Sequence, residues 1–328
     1  MVHSCLRAEV VLQYREASWI VFMGTPEFAS NVLKGLVENN YNIVGVVSQP
    51  DKEVGRKRIL KPSPVKEMAL NYGLKVLTPV KIRKEYEEVL SLEPDLIITC
   101  AYGQIIPKEL LDYPKYKCIN THGSLLPKGR GGAPIQRSIM NGEDKTGITI
   151  MFMNEKMDEG DILYQEEMPI DIHDTNATLF NKLSDLALQM LLKFLPEYIK
   201  GNYTAIKQDN DKASYTYNIT KEEEFISFNE DVKKVYDHIR GLLDNPGAYF
   251  VANDKKYKLI SVDFEYCNDT DAGLIRGLEN NYFRIDAING FIKVLKIKPE
   301  GKNEMDARAF FNGAGRSLVN IKTSETYE

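Results

Sequence analysis

The chain has 328 residues, 43% of them hydrophobic and 27% charged, with a net charge of −5. That length allows about two domains, and no apolar run approaches the roughly 20 residues that would span a bilayer. The four cysteines (Cys5, Cys100, Cys118, Cys267) are scattered, which excludes a disulfide framework or paired zinc ligands and fits a reducing cytoplasm. The acidic balance argues against a surface that attracts nucleic acid everywhere, and still permits a local basic patch.

Residues 1–18 lack the apolar core of a signal peptide and read as an extension with no assigned function. Over residues 19–202, short apolar strands alternate with amphipathic segments of helix length, which predicts an α/β domain on a parallel sheet. Strands are expected at Ile20–Met23, Ile43–Ser48, Leu96–Cys100, Cys118–His122, Thr146–Met153 and Ile162–Met168. Helices are expected to open near Pro26, Pro64, Pro107 and Pro134, since the N–H that proline lacks has no partner in a first helical turn. A longer helix over Thr178–Lys200 closes the domain, and the charged runs Lys81–Glu88 and Lys221–Glu224 read as solvated helix faces. Residues 203–217 are polar and weakly periodic, hence a linker. Residues 218–328 carry a helix over Asp231–Leu243, the turn Asn245-Pro-Gly247 and short strands at Ala248–Val251, Tyr257–Val262, Gly273–Leu278, Tyr282–Asp286 and Phe291–Ile297. Short strands with turn punctuation predict a small β-barrel.

The chemistry concentrates in Asn120-Thr-His122-Gly-Ser-Leu-Leu-Pro-Lys-Gly-Arg130-Gly-Gly-Ala-Pro134. Asn120 and His122 alternate with Thr121 and so share one side of a strand end. Ligands on open α/β sheets gather at such carboxyl ends. A lone histidine in an apolar strand is more often a hydrogen-bonded core residue, and Asn120 or Asp158-Glu-Gly-Asp161 alone would be turn residues. Jointly they form an active-site layout. No G-x-G-x-x-G follows a strand, no P-loop lysine pattern occurs and no ligand spacing suggests a metal. The stretch Asp51 to Lys66 holds Lys52, Arg56, Lys57, Arg58, Lys61 and Lys66, and its prolines and Gly55 discourage a helix. By itself it reads as a surface loop.

Taken together, Gly24-Thr-Pro-Glu-Phe28, Gln49-Pro-Asp51, Pro62-Ser-Pro-Val-Lys66, Ala101-Tyr-Gly103, Gly123 to Arg137 and Met157-Asp-Glu-Gly-Asp161 resemble the folate-dependent formyltransferases, over roughly residues 19–320. The fuller resemblance is to the branch that formylates initiator methionyl-tRNA. It implies a Rossmann-like catalytic domain and a smaller OB-like C-terminal domain. It also implies Asn120, His122 and Asp158 as catalytic trio, with Ser124, Leu125, Leu126 and Pro127 lining the folate pocket. Arg56, Lys57 and Arg58 would contact the acceptor arm of tRNA, and Arg130 would steady a loop or meet substrate. The implied co-substrate is 10-formyltetrahydrofolate, without metal, and a cytoplasmic monomer is expected. The chain departs from the resemblance at Leu243-Asp-Asn-Pro246, where relatives often carry Asn-Pro-Trp-Pro. Two rival readings are a sister enzyme formylating an amino sugar nucleotide, which tends to carry a second Arg where Gly132 stands, and a non-catalytic RNA-binding protein. The intact trio opposes the second rival, as does a C-terminal region without an evident basic, aromatic face.

Overall fold

The run Ile20–Gly24 is buried at every position and forms β1, an interior strand of the larger sheet. The structure, a computed structural model, describes residues 18–54 and 58–327; Arg56 and Lys57 lie outside the described residues, as do residues 1–17 with Cys5. The following strands are β2 (Ile43–Val47), β3 (Lys52–Val54), β4 (Ile59–Lys61), β5 (Val76–Leu77), β6 (Leu96–Cys100), β7 (Cys118–His122), β8 (Arg130–Gly131), β9 (Lys145–Phe152), β10 (Ile162–Pro169) and β11 (Tyr215–Thr216). The helices interspersed with them are α1 (Glu27–Glu38), α2 (Pro64–Asn71), α3 (Glu87–Leu90), α4 (Lys108–Asp112), α5 (Pro134–Met140) and α6 (Asn176–Ile199). Prolines open these helices in two ways. Pro64 and Pro134 are first-turn residues, whereas Pro26 and Pro107 are the caps just outside. At α2 the Ser63 hydroxyl also accepts from Lys66 N at 3.0 Å, satisfying one orphan donor of the first turn.

The chain divides into two units. The first runs to Gly131 and takes in Gly147–Met168 and Phe180–Tyr215. Its sheet has the order β10-β9-β7-β6-β1-β2-β5. It is parallel from β5 to β7, so β1, β6 and β7 end on one edge at Gly24, Cys100 and His122. β9 is antiparallel to β7, which makes the sheet mixed rather than wholly parallel. The segment between these strands supplies α5 to the second unit instead of crossing back over the sheet. Within the first unit α6 packs over α1, with the Phe28 and Phe180 rings 5.3 Å apart and Ser184 Oγ donating to Phe28 O.

The second unit comprises Gly132–Thr146, Pro169–Leu179 and Thr216–Glu328. Its further elements are α7 (Val232–Leu242), β12 (Ala248–Ala252), β13 (Lys255–Tyr266), β14 (Ile275–Glu279), β15 (Tyr282–Ala287), β16 (Gly290–Pro299), β17 (Met305–Asp306) and α8 (Ala307–Phe311). The antiparallel sheet runs β12-β13-β16-β15-β14, with β17 on β16. Register shifts around Ser261 let the 12-residue β13 bend, the device that curls a short sheet round one core. That core holds Phe228, Val235, Ile239, Phe250, Phe283, Ile292 and Phe310.

Two stretches of the expected domain 19–202 therefore cluster elsewhere. A Cβ at Gly241 on α7 would lie 2.6 Å from Met140, so the absence of a side chain is what lets α5 pack there. Arg240 donates to the carbonyls of Asp171 and Asp174, and Asn176 Nδ2 to that of Asn245. Lys81–Glu88 is mostly turn, with helix only from Glu87; the Glu85 and Gln104 side chains accept from the N–H groups of Lys81 and Ile82. Lys221–Glu224 shortens to a single 3₁₀ turn.

Candidate functional site

Asn120 and His122 stand at the carboxyl end of β7, and Asp158 is brought to them by the turn between β9 and β10. Asp158 Oδ1 lies 3.5 Å from Asn120 Nδ2, and Oδ2 lies 3.7 Å from His122 Nδ1. The structure thus gathers all three, Asp158 from a turn distant in sequence. His122 Nε2 lies 2.8 Å from the carbonyl of Gly129, so this nitrogen carries a proton and donates. The face toward Asp158 is then Nδ1, the ring atom that can take up a proton beside a carboxylate. Asp158 Oδ2 also accepts from Gly131 N at 2.9 Å, where φ of +102° suits glycine.

Asn120 is oriented by a residue that no motif marks. In the parallel register Thr99 of β6 sits beside Asn120, and its hydroxyl donates to Asn120 Oδ1 at 2.8 Å. The amide oxygen is thereby occupied, and its NH₂ faces the Asp158 side with one hydrogen left for a ligand. Thr99 is a buried polar residue in an otherwise apolar strand, the one signal in the sequence that could have found it.

The Ser124–Pro127 loop follows directly, with a cis peptide between Leu126 and Pro127. Thr149 on β9, wholly buried, donates to Ser124 O at 2.6 Å and accepts from Leu126 N at 3.2 Å. Gln165 donates to Leu126 O, Lys128 N to Leu125 O, and Ser214 N to Pro127 O. Every carbonyl from Ser124 to Pro127 therefore already accepts one hydrogen bond. Their second lone pairs remain for N–H donors, on a loop that these bonds hold rigid beforehand.

Arg130 is taken up by partners other than the trio. Its side chain is 1% exposed and donates to Gln208, Asn210 and Tyr215, with Glu159 at 3.5 Å. It steadies the loop. Residues 203–217, read as a linker, are pinned along the first unit as far as Tyr215: Ile206 pairs with Ile162, and the carboxamide of Gln208 is buried under the Asp158 turn. Nothing in that polar stretch announces the role of Gln208. Gly160 completes the turn, because a Cβ there would meet Phe152 O at 1.7 Å.

Of the expected RNA contacts, Arg58 lies on the hairpin β3–β4, where the sequence suggested an irregular loop, and it pairs with Glu53 at 3.0 Å. Lys66 pairs with Asp51 at 2.7 Å. Lys52 and Lys61 stand directly opposite one another, both exposed. In the second unit, Lys258 and Lys298 are likewise opposite and exposed, with Lys256 and Lys296 beside them, a basic strip that only the strand register brings together. A cleft lined by Lys108, Asp112, Lys117, Phe152 and Asp161 contains none of the trio, so concavity alone does not mark the site. Among the described residues no cluster of His, Cys, Asp or Glu could hold a metal, and no helix is long and apolar enough to cross a membrane.

Comparison with known proteins identifies the family. Residues 18–195 match the family described as formyl transferase, and residues 218–315 match its C-terminal domain. The methionyl-tRNA formyltransferase of Ligilactobacillus salivarius is 46% identical over 91% of this chain and 96% of its own. That of Bacillus cytotoxicus is 47% identical over 90% and 95%. Among solved structures, an N-formyltransferase from Helicobacter canadensis in complex with folinic acid and dTDP-3-aminofucose shares the fold at a TM-score of 0.65 and 24% identity, covering 84% of this chain and 98% of its own. HypX from Aquifex aeolicus, in complex with tetrahydrofolic acid, shares it at 0.66 and 17%, covering 95% of this chain and 51% of its own. With both domain profiles matched in order and relatives near half identity along almost the whole length, the chain belongs to the formyl transferase family.

Proposed function

We propose that this enzyme transfers the formyl group of 10-formyltetrahydrofolate to the amino group of methionine on initiator methionyl-tRNA, in translation initiation. The observation that carries the reading is the convergence of Asn120, His122 and Asp158 at one strand end, in a chain whose near relatives bear that name. The donor supplies the formyl carbon. The methionine nitrogen bonds to that carbon and gives up a proton, the bond from the carbon to the folate nitrogen breaks, and that nitrogen gains a proton. The remaining Asn120 N–H donates to the formyl oxygen as it turns negative; one such preplaced donor contributes roughly 3–4 kcal/mol. His122 takes a proton at Nδ1 and returns it, while Asp158 holds the ring and balances the imidazolium charge. Ser124, Leu125, Leu126 and Pro127 frame the pterin.

The RNA half of the reading rests on charge placement. Like charges directly opposite destabilise a strand pair, yet Lys52 faces Lys61 and Lys258 faces Lys298 at exposed positions. Phosphates offset that repulsion, and Arg58 lies on the same hairpin as the first pair; Arg56 and Lys57, its neighbours in sequence, are proposed to contact the acceptor arm with it. Action as a cytoplasmic monomer completes the proposal, with sedimentation as the check on mass. The deciding experiment supplies the purified protein and 10-formyltetrahydrofolate with charged initiator tRNA, charged elongator methionyl-tRNA or an amino sugar nucleotide. Preferential formylation of the initiator species is expected; faster formylation of the sugar nucleotide overturns the reading.

A further inference from the structure

The tripeptide Gly129-Arg130-Gly131 holds both ionisable members of the trio through its backbone: Gly129 O accepts from His122 Nε2, and Gly131 N donates to Asp158 Oδ2. The Arg130 side chain donates to Gln208, Asn210 and Tyr215 and pairs with the Glu159 carboxylate at 3.5 Å. Gln208 Oε1 receives Arg130 Nε at 3.1 Å and Nη2 at 2.9 Å. The nitrogen of the same carboxamide gives its two hydrogens to the carbonyls of Asp158, at 2.8 Å, and Gly160, at 2.7 Å. Gln208 is only 5% exposed, so none of these four hydrogen bonds is shared with bulk water. Asp158 has φ of +52°, a left-handed conformation that costs an L-residue energy and persists where its surroundings over-determine it. Two clamped carbonyls flanking Glu159 do that.

We propose that Gln208 is a positioning residue for formyl transfer: it closes a ring of contacts, His122 to Gly129, Arg130 to Gln208, Gln208 to Asp158, that sets the Asp158 carboxylate against the imidazole. The inference rests on the trio being the formyl-transfer centre. Only a carboxamide serves this place. It must accept from a guanidinium with one atom and donate twice with the other. Glutamate can accept but not donate, and leucine can do neither. The segment 203–215 thereby becomes part of the catalytic apparatus rather than a tether, and the strongest link runs through a residue that touches no substrate.

The test is a double-mutant cycle with a spectroscopic arm. Gln208→Glu keeps an acceptor for the buried Arg130 and turns both donors into an oxygen facing two carbonyls; Gln208→Leu removes both functions. Each should lower the single-turnover rate roughly 10- to 100-fold, the size expected for losing one or two buried hydrogen bonds, with KM for methionyl-tRNA changed by less than about twofold. In an Asp158→Ala background Gln208→Glu should cost less than about twofold, because residues acting through one another are not additive. The His122 imidazole nitrogen resonances should move in Gln208→Glu as they do in Asp158→Ala, a shift that a general loss of stability does not produce. Parental rates in Gln208→Glu, an undiminished loss in the Asp158→Ala background, or unmoved His122 resonances would each overturn the proposal. Where Gln208→Leu fails to fold, the Gln208→Glu cycle decides, its carboxylate still pairing Arg130. A parent that formylates no methionyl-tRNA while the resonances still move defeats the functional reading alone.

Discussion

Each hydrogen bond within the trio has a role that one atom decides. Asn120 offers nitrogen rather than oxygen because Thr99 occupies its Oδ1, and Asp158 is held from below by Gly131. Alanine at Asn120, His122 or Asp158 should each lower kcat at least about 100-fold, as for loss of a transition-state donor or proton carrier. The losses should fall far short of adding in the double variants. Steady-state formylation with circular dichroism as a folding control measures both, and near-normal turnover of His122→Ala would falsify the mechanism. Thr99→Val keeps the shape and deletes the donor. It removes one hydrogen bond, about 1 kcal/mol net, so kcat should drop roughly fivefold at unchanged KM. An unaltered rate would mean that Asp158 alone orients the amide.

At the scale of elements, the hairpin β3–β4 and helix α7 each carry a prediction. The exposed pair Lys52 and Lys61 adds repulsion unless anions lie between them. Replacing both by alanine should raise the KM for tRNA and flatten the slope of log affinity against log salt, by roughly 0.7–0.9 for each phosphate that is no longer neutralised. Folate binding should stay as in the parent. Equal slopes would leave the hairpin a solvated surface. On α7, His238 donates from Nε2 to Glu223 O at 2.7 Å, and burial holds its pKa below the ordinary 6.5. Arg137, bonded to the Glu223 carboxylate, lowers that group too. Both depressed groups bind protons more readily when unfolded. Stability is therefore complete above about pH 6.5 and is lost as pH falls through the folded-state values, His238 first and Glu223 later. His238→Gln keeps an N–H for the carbonyl and removes the titration. Urea denaturation at pH 7.5 and 5.5 should show a smaller loss in this variant than in the parent, and equal losses would refute the assignment.

At the scale of the whole molecule, the site is built into the first unit, and a folate ligand that binds only its folded state should stabilise it by mass action. At a hundredfold excess over Kd the gain is about 2.7 kcal/mol. Calorimetric scans with a stable 10-formyltetrahydrofolate analogue should show a raised transition, in chelator as in its absence. A nicotinamide nucleotide should leave the scan unchanged. A shift that vanishes on chelation would show that the donor site needs a metal after all.

The sequence by itself determined the longer strands and what stands at their ends, but not the short hairpin β3–β4. Buried runs such as Ile20–Gly24 and Leu96–Cys100 do not alternate; their shortness and β-branched content, both local properties, mark them as strands covered on both faces. Asn120 and His122 were legible for the same reason, since their spacing alone puts them on one side. Asp158 was legible only through family resemblance, because no local rule carries the turn after β9 back to β7. Thr99, Gly131 and Gln208 were decided by tertiary structure: each acts through a partner distant along the chain, and a polar residue shows no target in sequence. The membership of α5 in the second unit was decided there too. Its apolar face suits several neighbours, and the bare backbone at Gly241, about a hundred residues later, selects one of them.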